Sequence, residues 1–298
     1  MFFYLDWNHK RPNIISLTNE KPKSYNFMEK FNIDKKSYFI CGNIDKDLLN
    51  YYPPHKKEYT KPQYLSSHLQ KSIRRMNDYL SVKTAKHFLD LDIQSFLRRL
   101  PIIMLEDVCL HESLSVIVWL MIAITKGFQI KEVIVKWLLG VVYYLSLEKT
   151  KQEYQKDDHI HEINDQNISD KTLLYSLLFR KAYGGMAGDI RMINNYINRV
   201  IKSEIIIKND KIPRILLTLE PLKRSEWLYQ ANDFHCNRYI LNRIKLKHDN
   251  FSIDKIKELI WIYSSSINLR EDFNRIESSE WIKIKKTVKK LQKLCNFK

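Results

Sequence analysis

Apolar residues along this chain recur mostly three and four positions apart, the spacing of amphipathic helices. The organising stretch is residues 96–108, FLRRLPIIMLEDV, where Phe96, Leu97, Leu100, Ile103, Met104 and Val108 share one face. Asp92 stands ahead of it as an N-cap. Pro101 lacks an amide proton and predicts a helix start or a kink. Residues 114–126 are apolar nearly all round, which predicts a buried helix, with Gly127 as its stop signal. Residues 131–147 predict a second buried helix, bulked by Trp137, Tyr143 and Tyr144. Upstream, Tyr64, Leu65, Leu69 and Ile73 mark one face of a helix whose other side carries His68, Lys71, Arg74 and Arg75. Further helices are predicted over 82–91, 173–183, 189–202, 253–263 and 279–294.

The first 60 residues differ. FFYLDW and SYFICGN read as short strands or extended segments. Residues 51–62, YYPPHKKEYTKP, read as a linker or surface loop. Residues 204–221 admit a short hairpin, because NDK joins two apolar runs. The expected fold class is therefore mainly α: a helical bundle, a second helical half, and room for one β-hairpin. The expected domains are an extended, aromatic N-terminal segment with linker (1–62), a central helical bundle (63–147), a polar loop or linker (148–170) and a C-terminal helical region (171–298).

The chain has 298 residues with only 6 glycines and 8 prolines, which favours helices over a many-stranded architecture. Cys41, Cys109, Cys236 and Cys295 are scattered without a CxxC pair, as in reduced intracellular thiols. The opening MFFYLDWNHK runs straight into charge, unlike a signal peptide. No apolar run reaches the length of a membrane span. The expectation is a soluble intracellular protein, cytoplasmic or nuclear, with no membrane partner.

The formal net charge is +16, from 50 basic and 34 acidic residues. Such a field attracts polyanions, nucleic acid first, then an anionic membrane surface or an acidic partner. Lys, Ile and Asn are all abundant, so codon bias is a second source of the lysine excess.

Residues 66–154 resemble the helical region that follows the ATPase core in replication-associated recombination ATPases, relatives of clamp loaders. The matching stretches are HLQKSIRR (68–75), FLRRLPIIMLEDV (96–108) and KEVIVKWLLGVVYYLSLEKTKQEY (131–154). The resemblance covers under a third of the chain. It implies an all-helical module of replication or repair complexes that often oligomerises. It implies no ATP hydrolysis here, because no GxxxxGK[ST] loop exists and Gly42 is the sole glycine before Gly127.

Several stretches are candidates for chemistry. In YGGMAGD, residues 183–189, three of the six glycines (Gly184, Gly185, Gly188) fall beside Arg180, Lys181 and Arg191. Freed amides at a helix N-terminus bind anions; the plainer reading is a tight turn with Asp189 capping the next helix. Arg98 and Arg99, with Glu106 and Asp107, suggest a polar network or an anion site at a helix junction. DFHC, residues 233–236, sets a carboxylate, an imidazole and a thiol in a row, which suits a metal- or thiol-dependent enzyme or the cap of a helix starting at Asn237. HIHE, residues 159–162, is a zinc-like string in a polar loop.

Basic residues beside aromatics recur: His68, Lys71, Arg74, Arg75 and Tyr79; Arg214, Lys223, Arg224 and Trp227; Arg238, Tyr239 and Arg243. In the last helix Trp281, Ile284, Val288, Leu291 and Cys295 form an apolar stripe flanked by Lys283, Lys285, Lys286, Lys289, Lys290 and Lys293.

The favoured expectation is a non-catalytic nucleic-acid-binding factor of replication, recombination or RNA metabolism. Its phosphate ligands would be Lys71, Arg74, Arg75, Arg98, Arg99, Arg191, Arg238, Lys285, Lys286 and Lys289, with the amides at Gly184, Gly185 and Gly188. No metal, cofactor or catalytic residue is expected. The alternatives are an assembly subunit, as a homo-oligomer or within a larger replication complex, and an enzyme using Asp233, His235 and Cys236.

Overall fold

A computed structural model describes residues 1–8, 14–54, 61–153, 170–270 and 276–295. The protein is mainly α with a small sheet. Its strands are β1 (Phe2–Trp7), β2 (Ile14–Thr18), β3 (Phe27–Ile33) and β4 (Lys36–Ile44). Its helices are α1 (Pro62–Arg74), α2 (Asp78–Leu91), α3 (Ile93–Asp107), α4 (Ser113–Thr125), α5 (Glu132–Leu147), α6 (Lys171–Ala182), α7 (Ala187–Ile201), α8 (Arg238–Lys245), α9 (Ile253–Ile260) and α10 (Ser279–Cys295).

The chain divides into two compact units. One comprises 1–53, 92–141 and 152–215; the other comprises 54–91, 142–151 and 216–298. The stretch 63–147, expected as one bundle, is thus shared between them. The reason is that α1 and α2 find their packing partners in the C-terminal third of the chain.

In the first unit the N-terminal segment is a four-stranded sheet of order β2-β1-β4-β3. Alternation in β1 buries Phe3, Leu5 and Trp7 on one face. β1 pairs parallel with β4 and antiparallel with β2. β3 and β4 form a hairpin closed by Asp34 and Lys35, both with positive φ (46° and 64°), the twist a two-residue hairpin loop requires. The fully buried Trp119 of α4 donates its indole N–H to the carbonyls of Phe3 (3.1 Å) and Cys41 (3.0 Å). Gly42 makes room for it, since a Cβ there would stand 2.9 Å from the Trp119 ring.

Asp92 caps α3 through Ser95 N–H (2.9 Å), and α3 runs on through Pro101. In α4 every residue from Ser113 to Ala123 is buried. Gly127 follows it at φ +87°. The Tyr196 hydroxyl of α7 donates to the Leu105 carbonyl at 2.8 Å; burial first, opposed by Arg199, holds its pKa well above the usual tyrosine range.

The hairpin expected at 204–221 is absent: no described residue there lies in a strand. Lys208 instead exchanges backbone bonds with Leu110 and Glu112, both 2.9 Å. His111 Nε2 meets the Asp210 carbonyl at 3.1 Å, and Ile215 N–H reaches the Lys136 carbonyl. Edge groups of the segment are satisfied by the starts of α4 and α5 rather than by each other.

In the second unit, α8, α9 and α10 gather Phe234, Leu241, Ile244, Phe251, Ile256, Leu259, Ile260, Trp281, Ile284 and Val288 into one apolar cluster. A π-helical turn, Trp261–Ser265, continues α9. His68 in α1 is fully buried: its Nε2 accepts Leu228 N–H (2.9 Å), its Nδ1 meets Thr84 Oγ1 (2.8 Å), and Trp227 packs edge-on. Arg270 bonds the Ile73 carbonyl at 2.6 Å, the Glu148 carbonyl at 2.7 Å and the Leu145 carbonyl, occupying acceptors at the ends of α1 and α5.

Candidate functional site

The last helix presents the most concentrated charge. Over Ser279–Cys295 it has six lysines and one glutamate. Trp281, Ile284, Val288 and Gln292 are buried, while Lys283, Lys286, Lys290 and Lys293 are exposed. Those four follow 3-4-3 spacing, so they form one stripe of roughly 15 Å along the helix. None of the four has a hydrogen-bond or ion-pair partner among the described residues. Lys286, Lys289, Lys290, Lys293 and Leu294 line an open depression of about 400 Å³. Lys289 lies over the Tyr229 ring at 5.5 Å, and Lys285 is already paired with Glu277.

α10 is held in place from several sides. Gln292 and Asn232 bond each other's backbone carbonyls at 3.1 and 2.9 Å, and Gln292 also reaches Ser264 Oγ at 3.0 Å. His248, just past α8, bonds Thr287 at 2.9 Å. On α8, Arg238, Tyr239 and Arg243 are exposed, with the Arg243 guanidinium 5.7 Å from the Tyr239 ring centre. A cation over an exposed aromatic face is the element single-stranded nucleic acids use for stacking.

Other expected phosphate ligands lie elsewhere. Lys71 and Arg74 are each only 5% exposed. Arg74 donates to the Ser265 carbonyl (2.6 Å), and Arg75 to those of Ser264 (2.6 Å) and Lys71 (3.2 Å). Lys71 pairs with Asp233 at 3.4 Å. The face of α1 expected to meet solvent is therefore internal, and its two arginines serve carbonyls of the π-helical turn, which lack ordinary helical partners.

In the first unit the structure brings together two stretches that the sequence keeps apart. Gly184 (φ +75°) and Gly185 (φ +157°) turn the chain between α6 and α7. Arg98 donates to the Tyr183 carbonyl at 2.9 Å, and Arg180 to the carbonyls of Arg98 (3.0 Å) and Gly184 (2.8 Å). Arg99 pairs with Asp189 at 3.6 Å and Glu106 at 3.9 Å. Asp189 thus answers Arg99 in the first turn of α7, while Met186 holds the N-cap position expected for it. Burial, with Arg98 and Arg99 adding and Asp189 opposing, pushes the Arg180 guanidinium down to about 10, still charged at neutral pH. Gly188 and Arg191 are exposed beside this turn.

Within DFHC the cap expected of Asp233 and His235 is supplied by Asn237, whose side chain accepts Ile240 N–H at 3.2 Å. Asp233 is instead a hub. Its Oδ1 accepts from His235 Nδ1 (2.5 Å) and Ser265 Oγ (2.8 Å), and its Oδ2 faces Lys71. Burial pushes this carboxyl up, but Lys71, His235 and Ser265 outweigh it and hold the group below its usual range. Cys236 is exposed and free. Among the described residues no three His, Cys, Asp or Glu side chains gather as a metal site. HIHE lies outside the described residues. No described helix is long and apolar enough to cross a membrane.

Ser265, which donates to Asp233, carries no motif, and neither does Trp261 against His235. Only the chance adjacency of Asp233 and His235 marked the place in sequence. Comparison with protein-family models, curated proteins and solved structures finds no match to this chain.

Proposed function

We propose that this protein binds nucleic acid through the C-terminal basic surface of its second unit, without catalysing a reaction on it. The observation that carries this reading is the stripe Lys283, Lys286, Lys290 and Lys293: exposed, in line, and unmatched by carboxylates among the described residues. Each lysine that meets a phosphate releases condensed counterions, so several in line give salt-sensitive, sequence-independent affinity. Arg238, Tyr239 and Arg243 add cations and a stacking face. The helices behind them act as a bundle that fixes the surface. The resemblance of residues 66–154 to the helical region of recombination ATPases favours replication or repair, in the cytoplasm or nucleus, as the setting.

The experiment is binding of the whole protein to labelled single- and double-stranded DNA and RNA across a salt series. Log affinity is expected to fall linearly with log salt. Absence of binding at low salt sinks the reading. A second reading, an assembly subunit, draws on exposed Ile282 (59%) and Leu294 (55%) on the same helix; a concentration-dependent mass in solution, unchanged by nuclease, would favour it.

A further inference from the structure

Inside the basic second unit lies one concavity of opposite character. His235, Asp254, Lys257, Glu258 and Trp261 line an open pocket of about 390 Å³. Asp254, Lys257, Glu258 and Trp261 stand at i, i+3, i+4 and i+7 along α9 and its continuation, so they share a face. Trp261 is 44% exposed, and the His235 ring meets it at 4.7 Å and 47°, making an aromatic corner.

The corner is fixed from behind. The Asp233 carboxylate only accepts, so His235 Nδ1 carries the proton towards it. Among the described residues Nε2 has no partner, and neither do the charged ends of Asp254 and Lys257. Ser265, Lys71, Arg74 and Arg75 hold Asp233 and the π-helical turn in place. Lys255 draws Glu258 (3.4 Å) and Glu280 (3.2 Å) together, tying α9 to the start of α10.

We infer that this pocket takes a guanine base, an inference that rests on the nucleic-acid reading and names the base the strand would lodge here. Asp254 and Glu258 offset the charge of Lys257, and Lys255 is shared between Glu258 and Glu280, so the pocket offers no surplus of cations to hold a phosphate and its occupant is a base rather than the backbone. An aromatic corner suits a planar ring. The acceptors Asp254 and Glu258 call for a ligand rich in N–H groups. Guanine offers adjacent donors, N1–H and N2–H, that one carboxylate accepts together. It also offers O6 and N7 as acceptors for Lys257. Adenine, cytosine and uracil lack the paired donors.

The test is calorimetric titration of the whole protein with GMP, AMP, CMP and UMP at physiological salt. GMP is expected to bind at least tenfold tighter than the other three. Asp254→Asn with Glu258→Gln, both on an exposed face, should remove that preference and leave weak binding of all four. Trp261→Phe keeps a stacking ring and should retain the preference, whereas Trp261→Ala should lose it. Equal binding of the four nucleotides, or a GMP preference that survives loss of both carboxylates, overturns the inference. The two readings fail separately. Oligonucleotide binding without base preference removes the pocket and keeps the lysine stripe. GMP preference that persists when Lys286, Lys290 and Lys293 are changed to Gln supports the pocket whatever becomes of the stripe.

Discussion

The Nε of Arg180 donates to the backbone carbonyl of Arg98 at 3.0 Å across 82 residues of sequence, while Arg98 in turn donates to the Tyr183 carbonyl at 2.9 Å. The two arginines close the α6–α7 turn against α3. Arg180 is 3% exposed. Arg180→Met should therefore leave two carbonyls unanswered and cost about 3 kcal/mol, measured by urea unfolding. Arg98→Ala, at an exposed position, should cost under about 1 kcal/mol. Equal, negligible effects would show that the arginines do not hold the turn.

Gly140 sits in α5 with the Pro213 backbone against it; an added Cβ would lie 1.7 Å from the Pro213 carbonyl oxygen. In an exposed helix Gly→Ala stabilises by up to about 1 kcal/mol. Here the close approach reverses the sign, and Gly140→Ala should destabilise by about 1–3 kcal/mol as residues 208–215 are forced off α5. A raised melting temperature would contradict the approach.

Burial pushes the His68 imidazole down to about 4 from an ordinary 6.5. The unfolded chain therefore binds this proton first as pH falls. The stability contributed by a neutral His68 is complete above pH 6.5 and is lost progressively as pH falls from there to about 4, amounting to about 3 kcal/mol. His68→Gln, which keeps an acceptor for Leu228 N–H, should flatten the dependence of unfolding free energy on pH across that window.

Lys286, Lys290 and Lys293 changed together to Gln should lower the slope of log affinity against log salt by roughly 2 for a single strand and roughly 3 for a duplex. Thermal stability should hardly move, since all three are exposed. Arg74→Met should do the reverse: the salt slope stays, and stability falls as the Ser265 carbonyl loses its partner.

Helix existence and type were legible because periodicity is a local property. The buried α4, the Asp92 cap and the Gly127 stop follow from residues within a turn or two of one another. The apolar stripe of α10 was equally plain, and with it the exposed lysines opposite. The sheet was half legible: alternation in residues 2–7 is visible, but the order β2-β1-β4-β3 depends on partners tens of residues away. The hairpin at 204–221 was misread because its apolar runs look like strands, although α4 and α5 supply the backbone partners.

What the sequence by itself determined is the class, mainly α and strongly basic, and the cationic face of its last helix. Periodicity and net charge need no knowledge of the rest of the chain. Only the tertiary structure decided which cations are available to a ligand. Lys71, Arg74 and Arg75 look like Lys286 and Lys290 in sequence, yet they are taken up by Asp233 and by the carbonyls of a π-helical turn some 190 residues away. A charged side chain is either buried with a partner or exposed to solvent, and which of these holds depends on long-range packing that no local pattern records.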